Sequence, residues 1–424
     1  MTRRPEKQKL FSRMGRAQGL IVVAVLLAPL RVLHAQEEPA PAQEVEASPV
    51  ALPAVQLHGF VSQGAFLTTS NNYLGNSTHG SAEFTEAALN VSSEVADRLR
   101  VGLQLFTRDV GPIGDYKLTL DWAFLDYRFK EWLGMRAGRV KMPFGLYNEV
   151  NDVPGGRLPI LLPQSIYPVS SRDFLLALTG ASLYGSPRLG EYGTLDYQVF
   201  FGTIFIDLGD SPEFIGAHTH RAGGAQALWR TPIEGLRVGP SFLNVKLDFD
   251  FQLDQMTIDQ LVMNGSVPPD FDGRAQLRLH DANLLIGSVE YDIHRWLFAA
   301  EYSRYFIHAE TTPPGLLPGD EDTVSERFYA LVSHRPTEQL SVGGYASFQF
   351  NDVDNRSGEG LPVPHSAYQQ DYAATGRYDV NEFWLFKLEA HLLRGTALLS
   401  RADNAGDPPE KTWAMFLAQT VLSF

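Results

Sequence analysis

The sequence predicts an all-β fold: a 16-stranded antiparallel transmembrane β-barrel with short turns at one rim, long loops at the other and the third loop folded inward. Three observations carry this. Beyond the N-terminus the chain has no run of 18 or more apolar residues, the length a membrane helix needs, yet many segments of ten or more residues alternate apolar and polar side chains. Tight turns and long polar loops join those segments in alternation. The final segment, Trp413 to Phe424, has one register free of charge from end to end: Ala414, Phe416, Ala418, Thr420, Leu422 and Phe424. A strand with such a face can lie against lipid. Its other register, Trp413, Met415, Leu417, Gln419, Val421 and Ser423, alternates less cleanly.

From the start, Arg3, Arg4, Lys7, Lys9, Arg13 and Arg16 precede the apolar run Gly19 to Leu30, and Ala35 follows. A basic segment, a short apolar core and a small residue at a cut site describe a secretory signal peptide over 1–35. Residues 36–55, rich in Glu, Pro and Ala, read as an extended periplasmic lead-in. The barrel is expected over 56–424, in strands near 56–68, 82–95, 99–109, 116–129, 133–142, 178–188, 192–205, 219–230, 236–253, 275–291, 295–308, 324–334, 339–351, 367–378, 382–398 and 412–424. Leu99, Val101, Leu103 and Leu105 oppose Arg100, Gln104 and Arg108; Leu243, Val245, Leu247, Phe249 and Phe251 oppose Asn244, Lys246, Asp248, Asp250 and Gln252. A soluble β-sandwich alternates too. Strand length argues against it, since soluble strands average about 5–6 residues and a membrane strand needs about 9–11.

The tight turns fall at 96–98, 130–132, 189–191, 231–235, 292–294, 335–338 and 379–381. Trp132, Trp229, Trp296 and Trp384 sit within a few residues of them, where an aromatic girdle at the periplasmic interface belongs. Trp413 opens the last strand at the opposite rim. Trp122 fits neither position and is assigned to a subunit contact.

The third long loop, 143–177, stands apart. Five prolines, Pro143, Pro154, Pro159, Pro163 and Pro168, stiffen it. Leu158, Ile160, Leu161, Leu162, Ile166 and Tyr167 are too apolar for a loop in water, so it must pack on something, and the lumen of a 16-stranded barrel has room. The terminal Phe424 resembles the closing residue of outer-membrane barrels. A long third loop after strand five resembles the porin superfamily, and Arg136-Ala-Gly-Arg-Val-Lys-Met-Pro-Phe-Gly145 with Asp121-Trp-Ala-Phe-Leu-Asp-Tyr-Arg128 is similar to a segment of the phosphate-selective porin O and P family. The resemblance implies a homotrimer of water-filled barrels in the outer membrane of a Gram-negative bacterium, each narrowed by its third loop.

Alternation phase then nominates pore-lining residues. Arg139 and Lys141 end strand five, and Arg100 and Arg108 share a face of strand three. Asp248, Asp250, Arg327, Lys387 and Glu389 are read as lumen-facing, and Glu149, Asp152, Arg157, Arg172 and Asp173 as loop charges at the eyelet. Fixed charges facing one another across a narrow gap focus a field on a permeating solute; the competing reading is that they solvate the lumen or pin the loop.

The formal charge is −14; residues 1–35 hold seven Arg/Lys and one Glu, so the rest of the chain carries −20. That excludes a nucleic-acid binder. Only six lysines follow residue 35, a meagre supply for an anion-binding ladder. With no Cys, disulfides, thiol chemistry and a lipid anchor are absent. There is no Gly-x-Ser-x-Gly and no zinc-spaced His pair. His218 and His220 near Asp207 and Asp210 are better read as an exposed loop than as a metal site, and His280 beside Asp281 is the nearest approach to a catalytic pair. The expected function is passive diffusion of a small hydrophilic solute, with lipid as the surrounding partner, no enzyme activity and no cofactor. An enzymatic or adhesive barrel acting through its outer loops is the alternative.

Overall fold

The computed structural model describes residues 54–206, 214–314, 316, 320–400, 403–404 and 408–424. The leader, nearly all of the lead-in, Asp207 and Asp210 lie outside the described residues.

Sixteen strands form one closed barrel: β1 (Val55–Thr68), β2 (Phe84–Ala96), β3 (Leu99–Val110), β4 (Thr119–Lys130), β5 (Leu133–Lys141), β6 (Ala177–Gly185), β7 (Thr194–Thr203), β8 (Phe214–Arg230), β9 (Leu236–Gln252), β10 (Arg274–Ile293), β11 (Trp296–Thr312), β12 (Asp320–His334), β13 (Leu340–Phe350), β14 (Tyr368–Asp379), β15 (Trp384–Gly395) and β16 (Thr412–Ser423). Each strand pairs with its sequence neighbours, and β1 closes antiparallel on β16 from Phe60↔Ser423 to Thr68↔Met415. Closure leaves no free sheet edge, which is what a strand-built membrane crossing requires. Among the described residues no helix is long and apolar enough to cross a membrane; α1 (Arg172–Leu175) and α2 (Gln255–Met263) are short.

Alternation sorts the side chains as expected on most strands. On β16, Phe416 and Leu422 are exposed while Trp413, Met415, Leu417, Gln419 and Val421 are buried. On β15, Phe386, Leu388 and Leu392 face out and Leu385, Lys387, Glu389, His391 and Leu393 face in. Trp132, Trp229, Trp296 and Trp384 are all substantially exposed beside tight turns, forming one aromatic girdle.

Two expectations need correction. The faces of β9 are inverted. Ser241 accepts a hydrogen bond from the Gly145 amide, so it faces inward, and Leu243, Val245 and Leu247 on the same register are fully buried. Asp248 and Asp250 therefore project from the outer wall, beside His220 (3.0 Å) and His218 (3.3 Å). The physical cause is that the inner wall here meets apolar loop side chains rather than water. β8 to β11, at 17–20 residues, exceed the span a bilayer needs, and their loop-ward outer face carries Arg221, Asn244, Asp281 and His308. Trp122 faces the lumen rather than a subunit contact: a side chain on inward-facing Gly102 would meet it. Trp413 is at the loop-ward rim, but buried against Tyr73.

The lipid-facing assignment predicts that Leu388→Arg destabilises the barrel by about 2–4 kcal/mol, the cost of a cation near the bilayer midplane. Glu321→Gln, exposed at the loop-ward end of β12, should change stability by less than about 0.5 kcal/mol. Urea unfolding in lipid vesicles measures both.

Candidate functional site

The segment between β5 and β6, residues 142–176, is the site. Ala177, expected as its last residue, instead opens β6. The segment's side chains carry little charge, so its own backbone groups must find partners on the wall. They do so on β11, β14 and β15. Glu389 on β15 accepts from the amides of Ile160 (2.7 Å) and Leu161 (3.0 Å). Lys387, 1% exposed, donates to the carbonyls of Pro154, Arg157 (2.7 Å) and Pro159 (3.3 Å). Arg377 on β14 donates to the Gly155 carbonyl. Glu301 on β11 takes the Leu146 amide (2.8 Å) together with the hydroxyls of Tyr167, Tyr329 and Ser288.

Apolar contacts complete the attachment. Met142, Phe144, Leu162, Ile166, Tyr167 and Leu175 join Leu243, Val245, Leu247, Ile286 and Tyr329 of the wall in one buried cluster. Ile160 and Leu161 join Phe66, Phe84, Trp413 and Met415 in another. The proline-stiffened run thus packs against β9–β12 on one side and β1, β2 and β16 on the other.

The far end of the segment is held by charge. Arg172 pairs with Asp121 and, at 2.9 Å, with Asp173. Arg108 on β3 reaches Asp173 at 2.8 Å and the Val169 carbonyl at 3.3 Å. Burial opposes the charge on Arg172, but Asp121 outweighs it and lifts the guanidinium above its ordinary range. Burial also disfavours ionised Asp173; Arg108 and Arg172 prevail and hold the carboxyl below the usual carboxylate range. Lys141 reaches Asp152 (2.7 Å) and the Glu149 carbonyl (2.8 Å), and Gln104 donates to both Asp152 and Asp121.

The remaining nominated residues are placed as follows. Arg139 donates to the Asp121 carbonyl at 2.9 Å. Arg100 reaches Ser92 near the tight-turn end of the wall. Glu149 keeps an exposed side chain. Arg327 donates to the Ser165 carbonyl and lies 4.1 Å from the Tyr305 ring centroid. Arg157 leaves its Nε without a partner, as Glu86 leaves Oε2 and Gln419 both side-chain atoms. Asp248 and Asp250 take no part. Sequence reasoning missed Glu86, Asp121, Glu301 and His391. Asp121 escaped because it is the extra residue where the β3–β4 register shifts between Gln104/Leu105, which breaks the period-two count.

Toward the tight-turn rim, cations and carboxylates face inward in pairs: Arg136–Asp126 (3.0 Å), Arg230–Asp196, Arg237–Glu290 (2.8 Å) and Arg377–Asp379 (2.7 Å). A cavity of about 760 Å³ opens there, lined by Val153 and Gly155 of the segment and by Arg295, Arg335 and Arg377. On the other side of the segment, Gln164, Ser165, Gln349 and Gln369 enclose about 10 Å³, room for one water.

The side chains of His280 and Asp281 do not pair with each other. His280 binds Glu310 at 2.8 Å, whereas Asp281 binds Arg221 at 2.9 Å. Among the described residues no group of three or more His, Asp or Glu is placed to hold a metal ion.

These features define the class: a closed 16-stranded β-barrel with an internally tethered loop. No protein-family model matches the sequence, and no curated protein matches it. Among solved structures the chain is similar to the outer-membrane expressed OmpT of Vibrio cholerae, at TM-score 0.55 and 9% identity over 88% of this chain and 98% of that one. It is also similar to OmpF of Salmonella typhi in complex with daunomycin, at TM-score 0.54 and 11% identity over 87% and 97% of the two chains. The anion-selective porin from Comamonas acidovorans matches at TM-score 0.51 and 10% identity over 88% and 100%. At such identities the likeness is one of fold.

Two outcomes follow for the tether. Arg172→Ala strands Asp121 in a buried site; removing one partner of a buried pair costs about 3–5 kcal/mol, and protease should cut within 142–176 faster than in the wild type. Because the Asp173 carboxyl is depressed, its contribution is in place above the ordinary carboxylate range and is lost as pH falls through the depressed value. Cleavage rates should therefore stay flat from about pH 8 to 5 and rise only below about pH 4, read with an acid-active protease.

Proposed function

We propose that the chain is an outer-membrane porin: a passive channel for small hydrophilic solutes, narrowed by the 142–176 segment and assembled as a homotrimer. The observation that carries this reading is the segment's tethering to the inner wall, beside polar groups left unpartnered. Glu86, Arg157 and Gln419 retain unused hydrogen-bonding atoms in the barrel interior, and such groups call for water. The mechanism needs no chemistry. Solutes diffuse in, are sorted by the gap between segment and wall, and leave through the cavity at the tight-turn rim.

The inner charges support weak selectivity between ions. The four Arg–carboxylate pairs near that rim cancel locally, as does Lys141 with Asp152, so no unbalanced ladder favours one sign. The likeness to the phosphate-selective porin O and P family rests on residues 116–150 alone, and phosphate transport is no part of this reading. An enzymatic or adhesive role has no observation of its own in its favour.

Purified protein in planar bilayers should conduct in steps that come in groups of three. In a KCl gradient the reversal potential should lie near zero, and Lys141→Ala, which leaves Asp152 unpaired, should shift it toward cation preference. Folded protein that leaves bilayers silent defeats the channel reading.

A further inference from the structure

The inner wall of β4 and β6 carries an aromatic ledge, whose Phe124 also packs against the apolar cluster that anchors the segment. Trp122 and Phe124 are stacked, with centroids 5.3 Å apart and planes 19° apart. Both lean across Gly102 of the adjacent strand, where a side chain would sit 3.2–3.3 Å from their rings. Tyr184 repeats the device over Gly134, where an added carbon would fall 2.4 Å from the ring. All three aromatics are only partly buried. The Trp122 indole N–H is buried without a partner, although a buried indole ordinarily finds one.

Charge frames the ledge in neutral pairs. At its loop-ward end the Lys141 ammonium, paired with Asp152, lies 5.7 Å from the Trp122 ring centroid. At its other end Arg136, paired with Asp126, lies 4.3 Å from the Tyr184 centroid and 5.7 Å from that of Phe124. The path runs from the base of the tethered segment toward the tight-turn rim. Each ion pair offers donors and acceptors together, with no net charge, while the rings offer flat apolar faces.

We infer that the Trp122–Phe124 ledge is a stacking subsite for the ring of a neutral sugar passing through the channel. A pyranose has one apolar C–H face and a rim of hydroxyls that both donate and accept. The rings fit the face, and the two ion pairs fit the rim. An anion gains nothing from cations already neutralised, and an open-chain polyol has no face to stack. This inference rests on the channel reading and adds the solute class to it.

The test is block of ion current in planar bilayers by maltotriose, with mannitol and gluconate as acyclic neutral and acyclic anionic probes. Maltotriose should block the wild-type channel in a concentration-dependent way, and mannitol and gluconate should not. Trp122→Ala should raise the half-blocking concentration about tenfold, the scale of one aromatic contact, while keeping the conductance. Trp122→Phe should stay within about twofold. Trp122→Leu, which still covers Gly102, should weaken block without lowering stability in urea. Rings that merely shield the glycine backbone would lower stability when removed and leave sugar block unchanged, which overturns the inference. Equal block by mannitol or gluconate overturns it too, as does conduction with no maltotriose block; in those cases the channel reading stands. Silent bilayers overturn the channel reading itself and this subsite with it.

Discussion

Backbone polarity inside the barrel is the constraint on which the rest of the structure depends. A segment that leaves the wall and runs through the interior carries amides and carbonyls that no strand ladder satisfies. Its five prolines remove some donors, but every carbonyl remains. The wall answers with charged side chains aimed at backbone. Glu389 holds two consecutive amides, Lys387 gathers three carbonyls, and Glu301 takes an amide and three hydroxyls. His391 links Glu389 to Asp371, at 2.9 and 2.8 Å, so one tether is itself supported from behind.

That arrangement assigns most interior charge to structure. Of the residues nominated from phase, Lys387, Glu389, Arg108, Arg172, Asp152 and Asp173 all bond to the segment or lie on it. Charge matching is local: Asp121 faces Arg172, Asp152 faces Lys141, Glu290 faces Arg237. An interior built of neutral pairs differs physically from one lined by a single sign, because it holds a strap in place without imposing a strong field along the lumen. The aromatic ledge at Trp122 and Phe124 borders these tethers, with Phe124 against the segment's apolar cluster and Lys141 over Trp122.

The outer surface follows a different rule on each side of the barrel. Around β15, β16 and β1 the outward register is mostly apolar, as lipid demands, with Gln63 the polar exception on β1. On β8 to β11 the strands run on past that belt, and their outer face turns to Arg221, Asp248, Asp250, Asp281 and His308. Longer strands thus carry two exteriors, greasy below and ionic above.

How far the fold was legible follows from these two rules. Strand number, order and approximate limits were readable because period-two alternation and the contrast between tight turns and long loops are local properties. The four girdle tryptophans and the lipid face of β16 were readable for the same reason. The phase of β9 was not, since an apolar register is taken to face lipid, and here the apolar strap inside makes the inner wall apolar as well. Asp121 and Trp122 were misjudged around one irregular register between β3 and β4, which no count by twos detects. The sequence by itself determined that a closed, wet-centred barrel forms and that 143–177 must be packed away, because burial of apolar surface and alternation act along the chain. Which carboxylate meets which amide, and which wall the strap lies against, was decided only in the tertiary structure, where residues such as Ile160 and Glu389, far apart in the chain, come within hydrogen-bonding distance.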